Sequence, residues 1–137
     1  MILLQIPKAE SFDIPEGWFR AILRDVGERD KLGKAGFERV VRFVFELTSL
    51  PDTHTTFKAG RNYRLSDPAE LLGELQTWLG SALLSLVRRD GQLDLQALEG
   101  READIEIVHI FNDHYDQPYC HVRAIRPAGT IVKHSAR

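Results

Sequence analysis

Cysteine is nearly missing from this chain: Cys120 is the single one among 137 residues, so no internal disulfide forms and a packed core must hold the fold. Long apolar runs are missing too, and none approaches the ~20 residues with which a helix spans a bilayer. Proline and glycine, at 6 and 10 residues, are too sparse for a low-complexity linker. Residues 1–6 have no basic start and lead into Lys8 and Glu10, not a small-residue cleavage site, so no signal peptide and a cytoplasmic location are expected. No Walker loop, GxGxxG, GxSxG or HExxH occurs, which argues against the commonest nucleotide, redox, hydrolase and zinc-peptidase chemistries. The expectation is a protein that is not an enzyme, with no catalytic residue, cofactor or metal.

What is present is an ordinary globular composition, 43% hydrophobic and 28% charged. A chain of this length buries roughly two-thirds of the surface its unfolded form exposes, enough for one core. We expect one domain over 1–137, with its core at about 12–127 and a frayed tail at 128–137. The net charge of −2 hides an asymmetry: residues 17–65 carry ten Lys and Arg against six Asp and Glu, and the remainder eight against fourteen.

The basic part reads as three strands. Over 17–26, Phe19, Ala21 and Leu23 alternate with Trp18, Arg20, Ile22 and Arg24. Residues 28–36 read as a charged, mobile loop, with Gly33 and Gly36 supplying its turns. Over 37–47, Val41, Phe43, Phe45 and Leu47 share one parity and should face the core. Over 55–65, Phe57, Ala59, Tyr63 and Leu65 share another; Arg61 interrupts that face, and Gly60 predicts a bulge that shifts the parity.

Ser66 or Asp67 then caps a helix with Pro68 in its first position and Gly80 as its stop. Leu71, Leu72, Leu75, Trp78 and Leu79 form its apolar stripe. Residues 82–89 predict a second helical segment, either thickening the core or meeting a partner, and 94–99 a short helical turn. A final hairpin pairs 102–111 with 119–126, Ala103, Ile105 and Ile107 alternating with Asp104 and Glu106. Three strands, one principal helix and two strands give a mainly β fold: a five-stranded OB-fold barrel with the helix between strands 3 and 4.

Three constellations offer chemistry. Arg20, Arg24, Arg42, Lys58, Arg61 and Arg64, with Trp18 and Tyr63 interleaved, suit phosphate neutralisation combined with base stacking. The plain alternative makes the cations solvated strand faces and the aromatics core; core is favoured for Phe43, Phe45 and Tyr63, and Trp18 stays open. His109, His114, Cys120 and His121 gather on the last hairpin, but no CxxC or HxxxH pair exists, and adjacent Cys120 and His121 point to opposite faces, so no metal is assigned. Asp104, Glu106, Asp113 and Asp116 are best read as solvated strand and turn residues.

The pieces RNYRLSDPAELLGELQTWLG, LDLQALEGREADIEIVHI and YCHVRAIRPAG, together with PEGWFRAILRDVGE and RVVRFVFEL, resemble a family of small phage and prophage proteins regarded as single-stranded DNA-binding, OB-fold, replication-associated proteins. The likeness runs through the strand end at 63–66, Leu75 and Trp78 of the helix, the turn at 94–100 and the Ile-Arg-Pro of 125–127. A richer apolar segment at 82–87 and a longer connection at 112–118 depart from that pattern. The resemblance implies a phage-related nucleic-acid-binding module and carries no catalytic residue. The expected function is single-stranded DNA binding through Trp18, Arg20, Arg24, Arg42, Lys58, Arg61 and Arg64, with homo-oligomerisation possible and no membrane partner. The alternatives are an OB-fold protein-interaction or assembly module, or an enzyme accessory or hydrolytic subunit using His109, His114 and His121.

Overall fold

The computed structural model of the chain describes residues 1–3, 14–33, 36–49, 57–110 and 119–132. Five strands, β1 (Gly17–Gly33), β2 (Gly36–Leu47), β3 (Lys58–Arg64), β4 (Glu102–Ile110) and β5 (Tyr119–Pro127), form one sheet that closes on itself in the order β1-β2-β3-β5-β4. Every pairing is antiparallel except β3 against β5. Between β3 and β4 run α1 (Ala69–Leu79), α2 (Ala82–Leu86) and a 3-10 turn at Leu95–Leu98. No helix among the described residues is long and apolar enough to cross a membrane.

Period-two alternation fills the ring. Ala21 and Leu23 of β1, Val41, Phe43, Phe45 and Leu47 of β2, Ala59 and Tyr63 of β3, and Ala103, Ile105 and Ile107 of β4 are all buried in one cluster. The aromatic members meet edge to face, Phe43 against Tyr63 at 5.4 Å and Phe45 against Trp78 of α1 at 6.1 Å, geometries that suit opposed ring quadrupoles. Leu71, Leu75 and Trp78 are the buried stripe of α1; Leu72, on the predicted stripe, is exposed. The predicted side-chain cap is not formed: Pro68 occupies the cap position, and its carbonyl accepts from the Leu72 amide at 2.9 Å.

Of the stretch 28–36 expected to be a mobile loop, 28–33 and Gly36 are strand, and 34–35 lie outside the described residues. β1 continues to Gly33, paired residue by residue with β2 as far as Gly33 opposite Gly36, after an irregularity between Leu23 and Asp25. Gly36 takes φ +111°, a left-handed value that glycine adopts without strain. This ribbon extends beyond the core, so polar residues occupy both of its faces and the apolar alternation that betrays a strand is lost. The bulge predicted at Gly60 is absent: β2 and β3 stay in register from Val40 opposite Arg64 to Glu46 opposite Lys58.

Two seams complete the closure. β3 and β5 pair at Gly60 opposite His121, and polar side chains bind the rest of that junction. Arg61, on the core parity of β3, bends out to donate to Glu70 of α1 and to the Arg123 carbonyl of β5 at 2.5 Å, while its guanidinium covers the Tyr63 ring at 4.6 Å. Glu74 of α1 accepts from the Ile125 amide at 3.0 Å. The other seam joins β1 to β4 and is locked by Asp104, which is fully buried and not solvated as its strand position suggested. Arg20 Nε donates to Asp104 Oδ1 at 2.9 Å, and Oδ2 accepts from the amides of Gly129, Ile131 and Val132 at 3.1, 2.9 and 2.8 Å. Residues 128–132, expected to be frayed, are therefore docked; 133–137 lie outside the described residues.

Candidate functional site

Ion pairing sorts the seven predicted site residues. Arg20 is bound to Asp104, Glu102 and the Val132 carbonyl, and its pKa is raised chiefly by the hydrogen bond to Asp104, so it is a structural cation. Arg61 is likewise committed, only 11% exposed and facing Glu70 and Glu74. Arg24 pairs with Glu46 at 3.2 Å and Arg64 with Glu38 at 3.0 Å, both toward solvent. Exposed pairs of this kind contribute about 0–1 kcal/mol to stability and cancel local charge. Arg42 and Lys58 form no ion pair among the described residues.

Arg42 stands out geometrically. It projects from the outward face of β2, and its guanidinium lies flat against Gly60 of β3; a Cβ placed on Gly60 would come within 2.6 Å of Arg42 Cζ. The absent side chain is what admits the cation. Arg42 Nη1 donates to Asn62 Oδ1 at 3.3 Å, which orients the fork without neutralising it. Burial lowers its pKa, and the neighbouring Arg29 lowers it further, yet a guanidinium stays charged at any physiological pH. A half-desolvated cation beside a second cation is a ready anion site, because an incoming anion removes both penalties.

Arg29 and Lys31 come to this region on the β1 ribbon, and His121 comes on β5 as the partner of Gly60. Reading 28–36 as a loop concealed the first two; strict alternation of Arg29 and Lys31 with Asp30 and Leu32 was the signal that could have revealed them. His121 was noticed as a metal candidate and as part of the histidine group of the hydrolytic alternative, and not as part of the cationic face. Its pKa is lowered by burial first, then by the Arg61, Lys31 and Arg42 cations, against one acid, Glu70.

Trp18 is half-exposed on β1, opposite Glu106 of β4, with Arg126 Cζ 6.0 Å from its ring centroid. Trp18 and Arg20 thus belong to the β1–β4 part of the ring, whereas Arg42, Lys58 and Arg64 share the β2–β3 part. Tyr63, interleaved with the cations in sequence, is in the core, and its hydroxyl is buried with no hydrogen-bond partner among the described residues. Burial drives its pKa well above the ordinary tyrosine value. Sequence reading missed a different aromatic: Phe37, 77% exposed, sits directly across the ribbon from Leu32, 69% exposed.

The histidine and cysteine constellation resolves into backbone contacts. His109 Nε2 and Cys120 Sγ both approach the Ile14 carbonyl, at 2.8 and 3.6 Å, and the described residues contain no group of three or more metal-ligating side chains. His114, Asp113 and Asp116 lie outside the described residues. Of the acidic set, Asp104 is the seam lock and Glu106 holds Arg123 through two hydrogen bonds at 2.8 and 2.7 Å. Comparison of the chain with protein-family models and with curated proteins finds no match.

Proposed function

We propose that this chain is an OB-fold module that binds single-stranded nucleic acid, DNA in preference, without catalysis, in the setting of phage or mobile-element replication and recombination. Its closed five-strand order, with β3 parallel to β5 and α1 following β3, supports the OB reading, and the strand 2–3 face is where such folds commonly hold oligonucleotides. The observation that carries the proposal is Arg42: a guanidinium laid on Gly60 with no carboxylate partner among the described residues, with Arg29 of the ribbon acting on it, Lys31 of the ribbon acting on the adjoining His121, and Lys58 and Asn62 of β3 in line. Backbone phosphates supply the missing counter-charge, and Trp18 offers a π face to a base at the far end of the track.

Titration with an oligo-dT followed by tryptophan fluorescence, repeated across salt, tests the reading. Engagement of four cations predicts a log–log salt slope of roughly −3. Arg42→Glu should weaken binding far more than Arg64→Glu, since Arg64 is already matched by Glu38. Absence of binding at low salt sinks the proposal.

The rival reading, a protein-interaction or assembly module, draws on the exposed Leu32 and Phe37 pair and on Leu84 of α2, 79% exposed. It predicts concentration-dependent association in sedimentation that Phe37→Ser abolishes, with no response to nucleic acid.

A further inference from the structure

Gly60 is the meeting point of three strands on the outward face: Val44 of β2 is its partner on one side, His121 of β5 on the other, and the Arg42 guanidinium covers it. Among the described residues, four charged groups act chiefly on His121. β3 contributes Arg61, β2 contributes Arg42, the β1 ribbon contributes Lys31, and α1 contributes Glu70; β4 offers Val108 as its direct partner. Glu70 is the acid among these four, and it is already held by Arg61. The imidazole is thus half-buried within reach of three cations, one of them the Arg42 guanidinium, which has no carboxylate partner among the described residues.

Resting on the nucleic-acid reading above, we propose that Arg42, Lys31 and His121 around Gly60 form a single-phosphodiester subsite, and that His121 takes up one proton as the phosphate enters. In the free protein, burial and the surrounding cations keep His121 neutral at neutral pH. A phosphodiester seated against Arg42 brings a negative charge to the same place, reverses that local field and lets Nε2–H or Nδ1–H of an imidazolium donate to it. Proton and phosphate binding then reinforce one another. The sign follows: affinity rises as pH falls, by up to about tenfold per pH unit for one proton, over the window between the depressed free pKa of His121 and its raised bound value. A phosphodiester carries a fixed charge throughout this range, so any slope belongs to the protein.

The Gly60 contact explains why the subsite exists only in the folded ring. Arg42 comes from β2, His121 from β5 and Lys31 from the end of β1, and the β3–β5 closure is what makes them neighbours. Asn62 fixes the guanidinium plane, leaving its outer edge for the anion.

The test is the affinity of the full chain for a labelled oligo-dT of about 12 nucleotides, within the span one OB-fold covers, measured at constant ionic strength across about pH 5.5 to 8.5. The wild type should bind more tightly toward low pH. His121→Gln should bind with a flat profile, its loss relative to the wild type growing as pH falls. Arg42→Gln should lose at least about tenfold in affinity at every pH, the worth of a charge-assisted hydrogen bond, and flatten the profile as well. A slope that persists in His121→Gln, or an Arg42→Gln protein with the wild-type slope, overturns the proton-linked subsite, as does a flat wild type, and each leaves nucleic-acid binding standing. A wild type that binds at no pH in low salt overturns both.

Discussion

Asp104 and Arg20 are joined across the β1–β4 seam by a 2.9 Å hydrogen bond between Oδ1 and Nε, and the second carboxylate oxygen gathers three amides of residues 129–132. Thus one buried carboxylate ties together two strands and the chain segment beyond β5. Among the described residues Asp104 is satisfied only by Arg20 and this segment, so removing Arg20 leaves a fully buried carboxylate without its counter-cation. Arg20→Ala is expected to destabilise the fold by about 3–5 kcal/mol, read from chemical denaturation. Its effect on oligonucleotide affinity, measured well below the unfolding midpoint, should be small, which separates Arg20 from Arg42.

The same carboxylate sets an acid limit. Burial alone pushes the Asp104 pKa up, but the Ile131, Val132 and Gly129 amides together with Arg20 push it further down, so it lies below the ordinary aspartate value. A depressed folded pKa means that the stabilisation is complete above the unfolded value and is lost as pH falls through the folded one. Stability of the wild type should therefore decline below about pH 4. Asp104→Asn should be less stable at neutral pH and show a shallower decline over that acid range in pH-dependent denaturant melts.

Gly60→Ala separates binding from folding. Its backbone φ does not lie in the left-handed region, and the atom a new Cβ meets is the end of a long side chain that can swing away. Stability should change by less than about 1 kcal/mol, the range of glycine-to-alanine effects at permissive sites. Oligo-dT affinity should fall toward that of Arg42→Gln because the guanidinium loses its seat. An unchanged affinity would disconnect the Gly60 contact from binding.

Tyr63→Phe removes a buried hydroxyl that has no partner among the described residues. Retaining the ring keeps both the edge contact with Phe43 and the Arg61 guanidinium above it. The variant should be as stable as the wild type or more so, by up to about 1–3 kcal/mol, the penalty of an unmatched polar group. Thermal melts of the two proteins decide this.

The two tryptophans should report differently. Trp78 is buried, with its indole N–H donated to the Glu102 carbonyl at 3.0 Å, whereas Trp18 is half-exposed. Trp18→Phe should therefore remove most of the fluorescence response to oligo-dT, and Trp18→Ala should weaken binding by about 1–3 kcal/mol if one base stacks there.

Strand positions were legible wherever one face was apolar and the other polar. Val41 to Leu47 in β2 and Ala103 to Ile107 in β4 show this, as do the α1 stripe and the 94–100 turn, where Asp94 accepts from the Gln96 amide at 3.0 Å. That signal comes from burial against a core, so it vanished in the β1–β2 ribbon, which is held by backbone pairing and packs against little. A local rule also failed at Gly60: a strand glycine was read as a bulge, when it marks the close approach of Arg42 from the next strand.

Charge shows the same division. By itself, the sequence determined which residues are cationic and that they concentrate in 17–65, since composition and alternation are properties of neighbours along the chain. Only the tertiary structure decided which cations are spent. Asp104, far along the sequence from Arg20, reaches it through strand closure, and Glu70 reaches Arg61 through the docking of α1. The same closure left Arg42 unmatched beside His121, because pairing across a ring depends on register and packing that no local pattern encodes.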